Sequence, residues 1–389
     1  MRFLTGGESH GPALAVIIDG LPAGLAISGE DIDRDLARRQ SGYGRGERMR
    51  IESDRARILS GVRLGFTTGA PITVLIENRD HENWSETMAV EAPRGERPPP
   101  ETEPRPGHGD LAGMLKTGSG DARDVLERAS ARETAARAAA GAVAKLLLGE
   151  VGITVASRVI RIGSVSAEPG ESLSPDMFDG VEQDPVRCAD PEASRLMTAE
   201  IDRASEEGDS LGGVFEVAAF GVVPGLGSPA QYDLRLDGRL CGALASIPGI
   251  KGVEVGAGFS LAAMRGSSAH DEIFHGSSGL YRGTNRAGGL EAGMTNGEPL
   301  VLRAAMKPIP SLARPLATVN LDTLEPARAF KERADVCAVP AAAVVGEAVV
   351  ALVLADAVIE KFGGDSMEEL QHNLAGYLER ISGLWERGG

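Results

Sequence analysis

The feature that most constrains this chain is a pattern of glycines, strands and helices that occurs twice. Residues 7–24 read GESHGPALAVIIDGLPAG and residues 208–225 read GDSLGGVFEVAAFGVVPG, so that Gly7, Ser9, Gly11, Gly20 and Gly24 fall opposite Gly208, Ser210, Gly212, Gly221 and Gly225. Each run reads as a glycine turn, an alternating apolar strand and a second turn. Three more blocks follow in the same order in both halves. Asp33 and Leu36 match Asp237 and Leu240, and GFTTGAPITVLIEN (65–78) matches GMTNGEPLVLRAAM (293–306). Last, the apolar run RASARETAARAAAGAVAKLLL (128–148) matches Arg333-Ala334 and the run that follows Pro340, with Gly141 opposite Gly346. We read one domain made of two quasi-equivalent halves, about 1–150 and 208–364, joined by a variable segment.

Each half gives strands first and a long helix last, which predicts an α+β fold with sheet packed on helix and not a doubly wound parallel sheet. A pseudo-twofold between the halves would bury both long helices between two mainly antiparallel sheets. Ser130 with Glu133 reads as a capping box for the first long helix, and Ser366 with Glu369 as one for an amphipathic surface helix over about 366–381. The acidic segment 163–210 is expected to hold at most short elements, and the Gly/Ser-rich stretch 264–285 to be a loop. Residues 79–110, with their run of prolines and charges, form a long connection. No G-x-G-x-x-G opens a helix after a strand, which argues against a Rossmann dinucleotide site.

Charge limits the partners. A net charge of -16 would repel a phosphate backbone or an anionic membrane, so a phosphorylated ligand has to be held by local basic clusters. Cys188, Cys241 and Cys337 are odd in number, scattered and without metal-ligand spacing, a pattern of reducing compartments. The run Ala341–Ile359 is interrupted by Glu347 and Asp356, so it reads as core and not as a membrane span. A cytoplasmic protein that binds neither nucleic acid nor membrane, with no metal site, is the expectation.

Function should sit where the halves differ. His10 stands opposite Leu211, and Asp335 opposite Ser130, so the turns entering the two long helices share an arginine but only one carries a carboxylate. Helix N-termini of this kind offer unsatisfied N–H groups to a common anion. Arg38, Arg39, Arg45 and Arg48 gather around glycines in RRQSGYGRGER, either as a phosphate or carboxylate clamp or as a solvated basic loop. His108, between glycines and beside Asp110, is an acid or base near neutrality, or simply a loop histidine. Lys307-Pro308-Ile309-Pro310-Ser311 follows a strand, as a ligand-phosphate site or a plain strand-end loop. His81, His270, His275 and His372 have no comparable setting.

Eight motifs taken together resemble the chorismate synthase family over nearly the whole length. They are GESHG (7–11), RRQSGYGRGERM (38–49), PRPGHGD (104–110), RASARET (128–134), IKGVEVGAGF (250–259), TNRAGGLEAGMTNG (284–297), KPIPS (307–311) and RADVCAVPA (333–341). The segment LAGMLKTGSGDARDVLERAS is similar to the branch without the large insertions of the flavin-reducing members. The resemblance implies a β-α-β sandwich, a homotetramer, and conversion of 5-enolpyruvylshikimate 3-phosphate to chorismate by 1,4-anti elimination. It also implies a need for reduced FMN without net redox change, NADPH serving only indirectly, for flavin reduction, and leaves open whether a separate reductase supplies the reduced flavin.

By the same resemblance His10 protonates the departing phosphate, His108 lies at the flavin pyrimidine edge, and Asp335 works with flavin N5 in removing the C6 proton. FMN contacts are implied at Arg128, Ala129, Ser130, Pro248, Gly249, Ala292, Lys307, Pro308, Ile309, Pro310, Ser311 and Arg333. Relatives often have Asn-Ala or Gln-Ala in place of Pro248-Gly249, which makes any contact there one of backbone. Arg39, Arg45 and Arg48 are implied to hold the substrate, with Arg105 and Arg132 as additions, and Arg39 and Arg45 are also associated with NADP. Two rival readings keep the basic clusters: a flavin or phosphoester sensor, for which His10, His108 and Asp335 are dispensable, and a flavin oxidoreductase, which would consume NADPH unaided.

Overall fold

The computed structural model describes residues 1–46, 53–92, 95–167, 174–276, 279–332 and 335–383. Arg48 and Arg333 lie outside the described residues. Alternating apolar residues build a first sheet from β1 (Arg2–Gly6), β2 (Ala13–Asp19), β3 (Ala56–Ser60) and, after the two-residue ladder of β4 (Val62–Arg63) with β5 (Phe66–Thr67), β6 (Ile72–Glu77). Its order is β1-β2-β6-β3 and every pairing is antiparallel. The period of two puts Leu14, Val16 and Ile18 of β2 beside Ile72, Val74 and Ile76 of β6, all fully buried on one face.

The second sheet uses β7 (Thr154–Ile162), β8 (Val165–Ser166), β9 (Gly213–Phe220), β10 (Ile250–Val255) and, after several small ladders, β15 (Leu300–Met306). Those ladders are β11 (Ile273–Gly276) with β12 (Gly279–Arg282) and β13 (Leu290–Glu291) with β14 (Met294–Thr295), while β16 (Ala317–Val319) and β17 (Pro326–Arg328) pair later. The order β10-β15-β9-β7-β8 mirrors the first sheet, with β7, β9, β15 and β10 in the places of β1, β2, β6 and β3. The counterpart of β1 therefore begins at residue 154, well ahead of the glycine-rich block at 208.

Between the sheets run α4 (Thr134–Glu150) and α8 (Val339–Phe362), which pack on each other, α4 also against the first sheet and α8 against the second. Around them lie α1 (Gly29–Gln40), α2 (Asp110–Thr117), α3 (Arg123–Ala129), α5 (Pro191–Glu207), α6 (Leu236–Ala245), the single turn α7 (Gly266–Ala269) and α9 (Met367–Ser382). One apolar core runs through both halves. Close approach of the two long helices depends on Gly141, where an added Cβ would stand 2.4 Å from the Cα of Ala348. Its counterpart Gly346 faces the sheet, where a Cβ would stand 2.5 Å from the Phe215 ring.

α8 is long and apolar enough to cross a membrane, yet it is mostly buried within the fold. Midway along it Glu347 is fully buried and receives Lys145 at 2.6 Å, Arg38 at 2.8 Å, Arg187 at 3.3 Å and the Ser157 hydroxyl at 2.6 Å. A buried carboxylate so surrounded has its charge compensated on every side.

Three expectations are corrected. Segment 163–210 is not confined to short elements: it holds α5, whose N-cap Asp190 accepts from the Glu192 and Ala193 amides, with Pro191 opening the helix. The stretch 264–285 includes the β11–β12 hairpin besides loop. The Ser130–Glu133 capping box does not form. Arg128 and Ala129 close α3, Ser130 is extended and accepts from the Arg132 amide, and Glu133 turns instead to Arg137 at 2.9 Å and the Thr5 hydroxyl at 3.0 Å. The box at Ser366 and Glu369 does form and starts α9.

Candidate active site

A cleft of about 670 Å³ opens where the turn 7–11, the loop 104–110 and the turns entering α4 and α8 meet the segments 248–251 and 306–311. His10, His108 and Asp335 all line it, with Arg39, Arg45, Arg105, Arg132, Ala129, Ser130, Pro248, Gly249 and the whole of Lys307–Ser311. Widely separated stretches of sequence thus converge on one site. In a chain of net charge -16, its lining is rich in cations.

His10 is buried, with its Nδ1 at 2.9 and 3.0 Å from the two carboxylate oxygens of Glu127. Glu127 also accepts the His10 amide at 2.9 Å and Arg123 at 3.1 Å. Burial works against ionisation of Glu127, but the hydrogen bond and charge of His10 prevail and hold its carboxyl below the usual range. An ionised carboxylate only accepts, so His10 Nδ1 carries a proton, and the ring itself lines the cleft. Trp84 stacks on the imidazole at 4.0 Å between centroids, and Arg123 lies 5.1 Å over the Trp84 ring. Below the turn, Asn78 donates to the carbonyls of Glu8 and Gly11, fixing the GESHG backbone.

His108 has a parallel setting. Its Nδ1 bonds Asp110, which is fully buried and also accepts Arg105 Nε at 2.9 Å and the Arg105 amide at 3.0 Å. Burial opposes the charge of Asp110, yet His108 and Arg105 together drive its carboxyl far below the ordinary range. His108 thus meets an ionised carboxylate through Nδ1, with Arg105 Nη2 3.1 Å from the same nitrogen, and lines the cleft. Arg105 is committed within the protein: beyond Asp110 it donates to Ser311 Oγ at 3.0 Å and to Glu332 at 2.7 Å, and stacks 4.4 Å over Phe330.

The arginines divide into two kinds. Arg132 gives Nε and Nη2 to Asn78 Oδ1 and Nη1 to Asp54 at 2.7 Å, so like Arg105 it braces the site. Arg39 is buried, donates to Thr134 Oγ1 and to the Ala131 carbonyl, and among the described residues has no hydrogen-bond partner for Nη1. Burial and the neighbouring Arg132 pull Arg39 down to about 9, which leaves it charged at neutral pH. That Nη1 stands 3.8 Å from Asp54, so the guanidinium is paired at longer range with a buried carboxylate while its other N–H groups bond Thr134 and Ala131. Arg45 stands 3.4 Å from Asp335, whose other oxygen accepts the Gly46 amide at 2.7 Å.

Lys307 reaches across to the Gly107 carbonyl, and burial together with Lys251 lowers its ammonium. Lys251 and Lys331 line the same cleft. The KPIPS backbone is held by Lys307 N donating to the Gly249 carbonyl at 2.9 Å and by the Ser210 hydroxyl donating to the Ile309 carbonyl at 2.7 Å. Gly212 lets that segment approach, since a Cβ there would stand 2.3 Å from the Met306 carbonyl oxygen.

Two expected contacts are not part of this lining. Arg128 donates to the Thr5 and Gly7 carbonyls on the flank of the first sheet. Ala292 sits in the turn between β13 and β14 with φ +50, the counterpart of Leu64 at φ +52 in the other half. Sequence reasoning missed Trp84, Asn78, Glu127, Glu332, Lys251 and Lys331. For the two glutamates a signal existed: Glu127 precedes Arg128-Ala129 as Glu332 precedes Arg333-Ala334. His81, read as having no special setting, meets the His10 carbonyl through Nδ1 at 2.9 Å.

Comparison with known proteins gives one consistent result. A family model described as "Chorismate synthase" matches residues 1–359. A chorismate synthase of Desulforudis audaxviator is 60% identical over 384 residues, covering 98% of each chain. One of Salinispora tropica is 55% identical over 388 residues, covering 98% of this chain and 99% of the relative. A crystal structure of chorismate synthase superposes with a TM-score of 0.78 at 42% identity, covering 98% of both chains.

Proposed function

Since the chain belongs to the chorismate synthase family, we propose that the cleft is its active site and that His10, His108 and Asp335 handle the protons of the family's reaction. That reaction is the elimination of phosphate from 5-enolpyruvylshikimate 3-phosphate to give chorismate, a carbon–oxygen lyase activity and the last common step of aromatic amino acid biosynthesis. The observation that carries the reading is the meeting of three separate segments, each bringing one of these residues to a cleft that is also lined by Arg39, Arg45 and Lys307.

In this reading Arg39 and Arg45, together with Arg48, hold the phosphate and carboxylate of the substrate. His10, set by Glu127, gives a proton from Nε2 to the departing phosphate, and Trp84 keeps water from that face of the ring. Asp335 accepts the proton lost from carbon. We assign Arg105 and Arg132 to holding the site in shape.

The donor set also fits an anionic flavin. Lys307 with Lys251 and Lys331 suits a flavin phosphate, while Ala129, Ser130 and the Pro248-Gly249 backbone offer a wall without long side chains. Reduced FMN, when bound, supplies electron density to the reacting ring without being consumed. His108, which lines the same cleft, is able to bond or protonate an anionic ring edge. On the same family likeness we propose a homotetramer in the cytoplasm, fed with reduced FMN by a separate reductase. Exposed Phe259, Ile273 and Leu280 supply apolar surface for contacts between chains.

The test is chorismate absorbance under anaerobic conditions with reduced FMN. Wild type should turn over, and His108→Ala should lose about 10² to 10⁴ in rate, the usual share of a positioned acid or base. No product from the folded wild type would exclude the lyase reading, and steady NADPH oxidation without added reductase would favour a flavin oxidoreductase.

A further inference from the structure

Both cleft histidines rest on a carboxylate backed by an arginine, and the two arginines meet at Glu332. From His10 the chain runs through Glu127 to Arg123, which lies 3.1 Å from Glu127 and 3.9 Å from one oxygen of Glu332. From His108 it runs through Asp110 to Arg105, which holds the other oxygen of Glu332 at 2.7 Å. Signs alternate along the whole path, so each charge faces opposite charges. The path is also well shielded, with Glu127, Asp110 and Arg105 all buried and Glu332 partly so.

We propose that Glu332 is a positioning residue that couples the two histidines of the cleft, holding Arg123 and Arg105 so that each leaves its carboxylate's share for the imidazole. Resting on the function proposed above, this makes Glu332 a determinant of how both proton-handling groups face one substrate. The physical reason is competition for lone pairs. Glu127 serves His10 and Arg123 together, and Asp110 serves His108 and Arg105 together. Take away the anion between the arginines and each turns further onto its own carboxylate, displacing the imidazole it now supports. The duplication strengthens the assignment, because Glu127 and Glu332 occupy matching positions ahead of the two Arg-Ala turns. One copy of that glutamate orients a histidine directly. The other bonds Arg105 and stands within ion-pair range of Arg123.

The experiment compares Glu332→Gln with Glu101→Gln, following nitrogen-labelled histidine by NMR and turnover in the anaerobic assay. Glu101 stands 3.7 Å from Arg123 and is the control for one arm alone. Glu332→Gln should shift the Nδ1 signals of both His10 and His108 and lower kcat about tenfold or more, with KM changed less than about threefold. Glu101→Gln should shift only His10. Should Glu332→Gln fold poorly, Glu332→Asp, one methylene too short to serve both arginines, should reproduce the double shift. A Glu332 variant in which one histidine or neither responds overturns the proposal, whatever its turnover. If both signals move while wild type makes no chorismate, the coupling stands and the assigned reaction fails.

Discussion

Ser9 and His10 occupy the turn ahead of β2, and Ser210 and Leu211 occupy the matching turn ahead of β9. Both turns dock on the approach to a long helix: Ser9 N donates to the Glu127 carbonyl at 3.0 Å, and Leu211 N to the Val336 carbonyl at 2.8 Å. Beyond the backbone they diverge. The first presents an imidazole to a carboxylate, while the second packs a leucine beside Gly163 and uses its serine to hold the KPIPS loop. A duplicated scaffold can thus keep its fold in both copies while only one of them carries the imidazole.

The sharpest way to break that comparison is to remove each side chain. His10→Ala should lower kcat by about 10² to 10⁴ and, because buried Glu127 loses its partner, should cost about 1–3 kcal/mol in stability. Leu211→Ala removes only part-buried apolar contact, costing about 1–2 kcal/mol in stability and little turnover. Kinetics and melting curves on both variants decide it. A folded Leu211→Ala enzyme as slow as His10→Ala would mean that the second turn also serves chemistry.

The two long helices differ in the same manner. Where α8 has Glu347, the matching residue of α4 is Ala142. Replacing Glu347 by that alanine leaves Arg38, Lys145 and Arg187 around a missing anion, and loss of one partner from a buried ionic cluster costs about 3–5 kcal/mol. Burial favours the neutral acid, but Lys145 and Arg38 outweigh it and hold the Glu347 carboxyl well below its ordinary 4.5. A depressed carboxyl stabilises the fold fully above its unfolded-state value, and that contribution is lost as pH falls toward the folded one. Urea unfolding from neutral pH downward should therefore show a gap between wild type and Glu347→Ala that is widest at neutrality and narrows below about pH 4.5. A gap that stays constant would mean that the side chain acts by packing and not by charge.

How much of this was legible in the sequence depended on what each residue needed. Left-handed turns need glycine, so the pairs Gly20 with Gly221, Gly24 with Gly225, Gly65 with Gly293 and Gly69 with Gly297, all at positive φ, exposed the repeat without any structure. β7 and β10 need only alternating apolar residues, which many sequences provide, and their kinship to β1 and β3 shows only in the strand order. α5 was hidden by its acidic surface, although Ala193, Met197, Ile201 and Ala204 lie on one buried stripe behind an Asp-Pro start. His10 and His108 stood out by their glycine surroundings. Trp84 did not, because its stacking on His10 arises only when distant segments meet, and Glu127 showed only as the match of Glu332 ahead of the two Arg-Ala turns.

The finest test asks whether the copies are equal in energy as well as in outline. Thr67 Oγ1 accepts the Leu25 amide at 2.9 Å and donates to the Pro22 carbonyl at 2.7 Å, and Thr295 Oγ1 does the same with Leu226 at 2.8 Å and Val223 at 2.7 Å. Both threonines are 4% exposed. Valine in either place keeps the shape but strands a buried amide and a buried carbonyl, a loss of about 1–3 kcal/mol. Thr67→Val and Thr295→Val should agree within about 0.5 kcal/mol by urea unfolding, and the double variant should show their sum because the sites share no partner. Unequal losses would place the difference between the halves in the packing of the scaffold itself, and not only in the side chains that line the cleft.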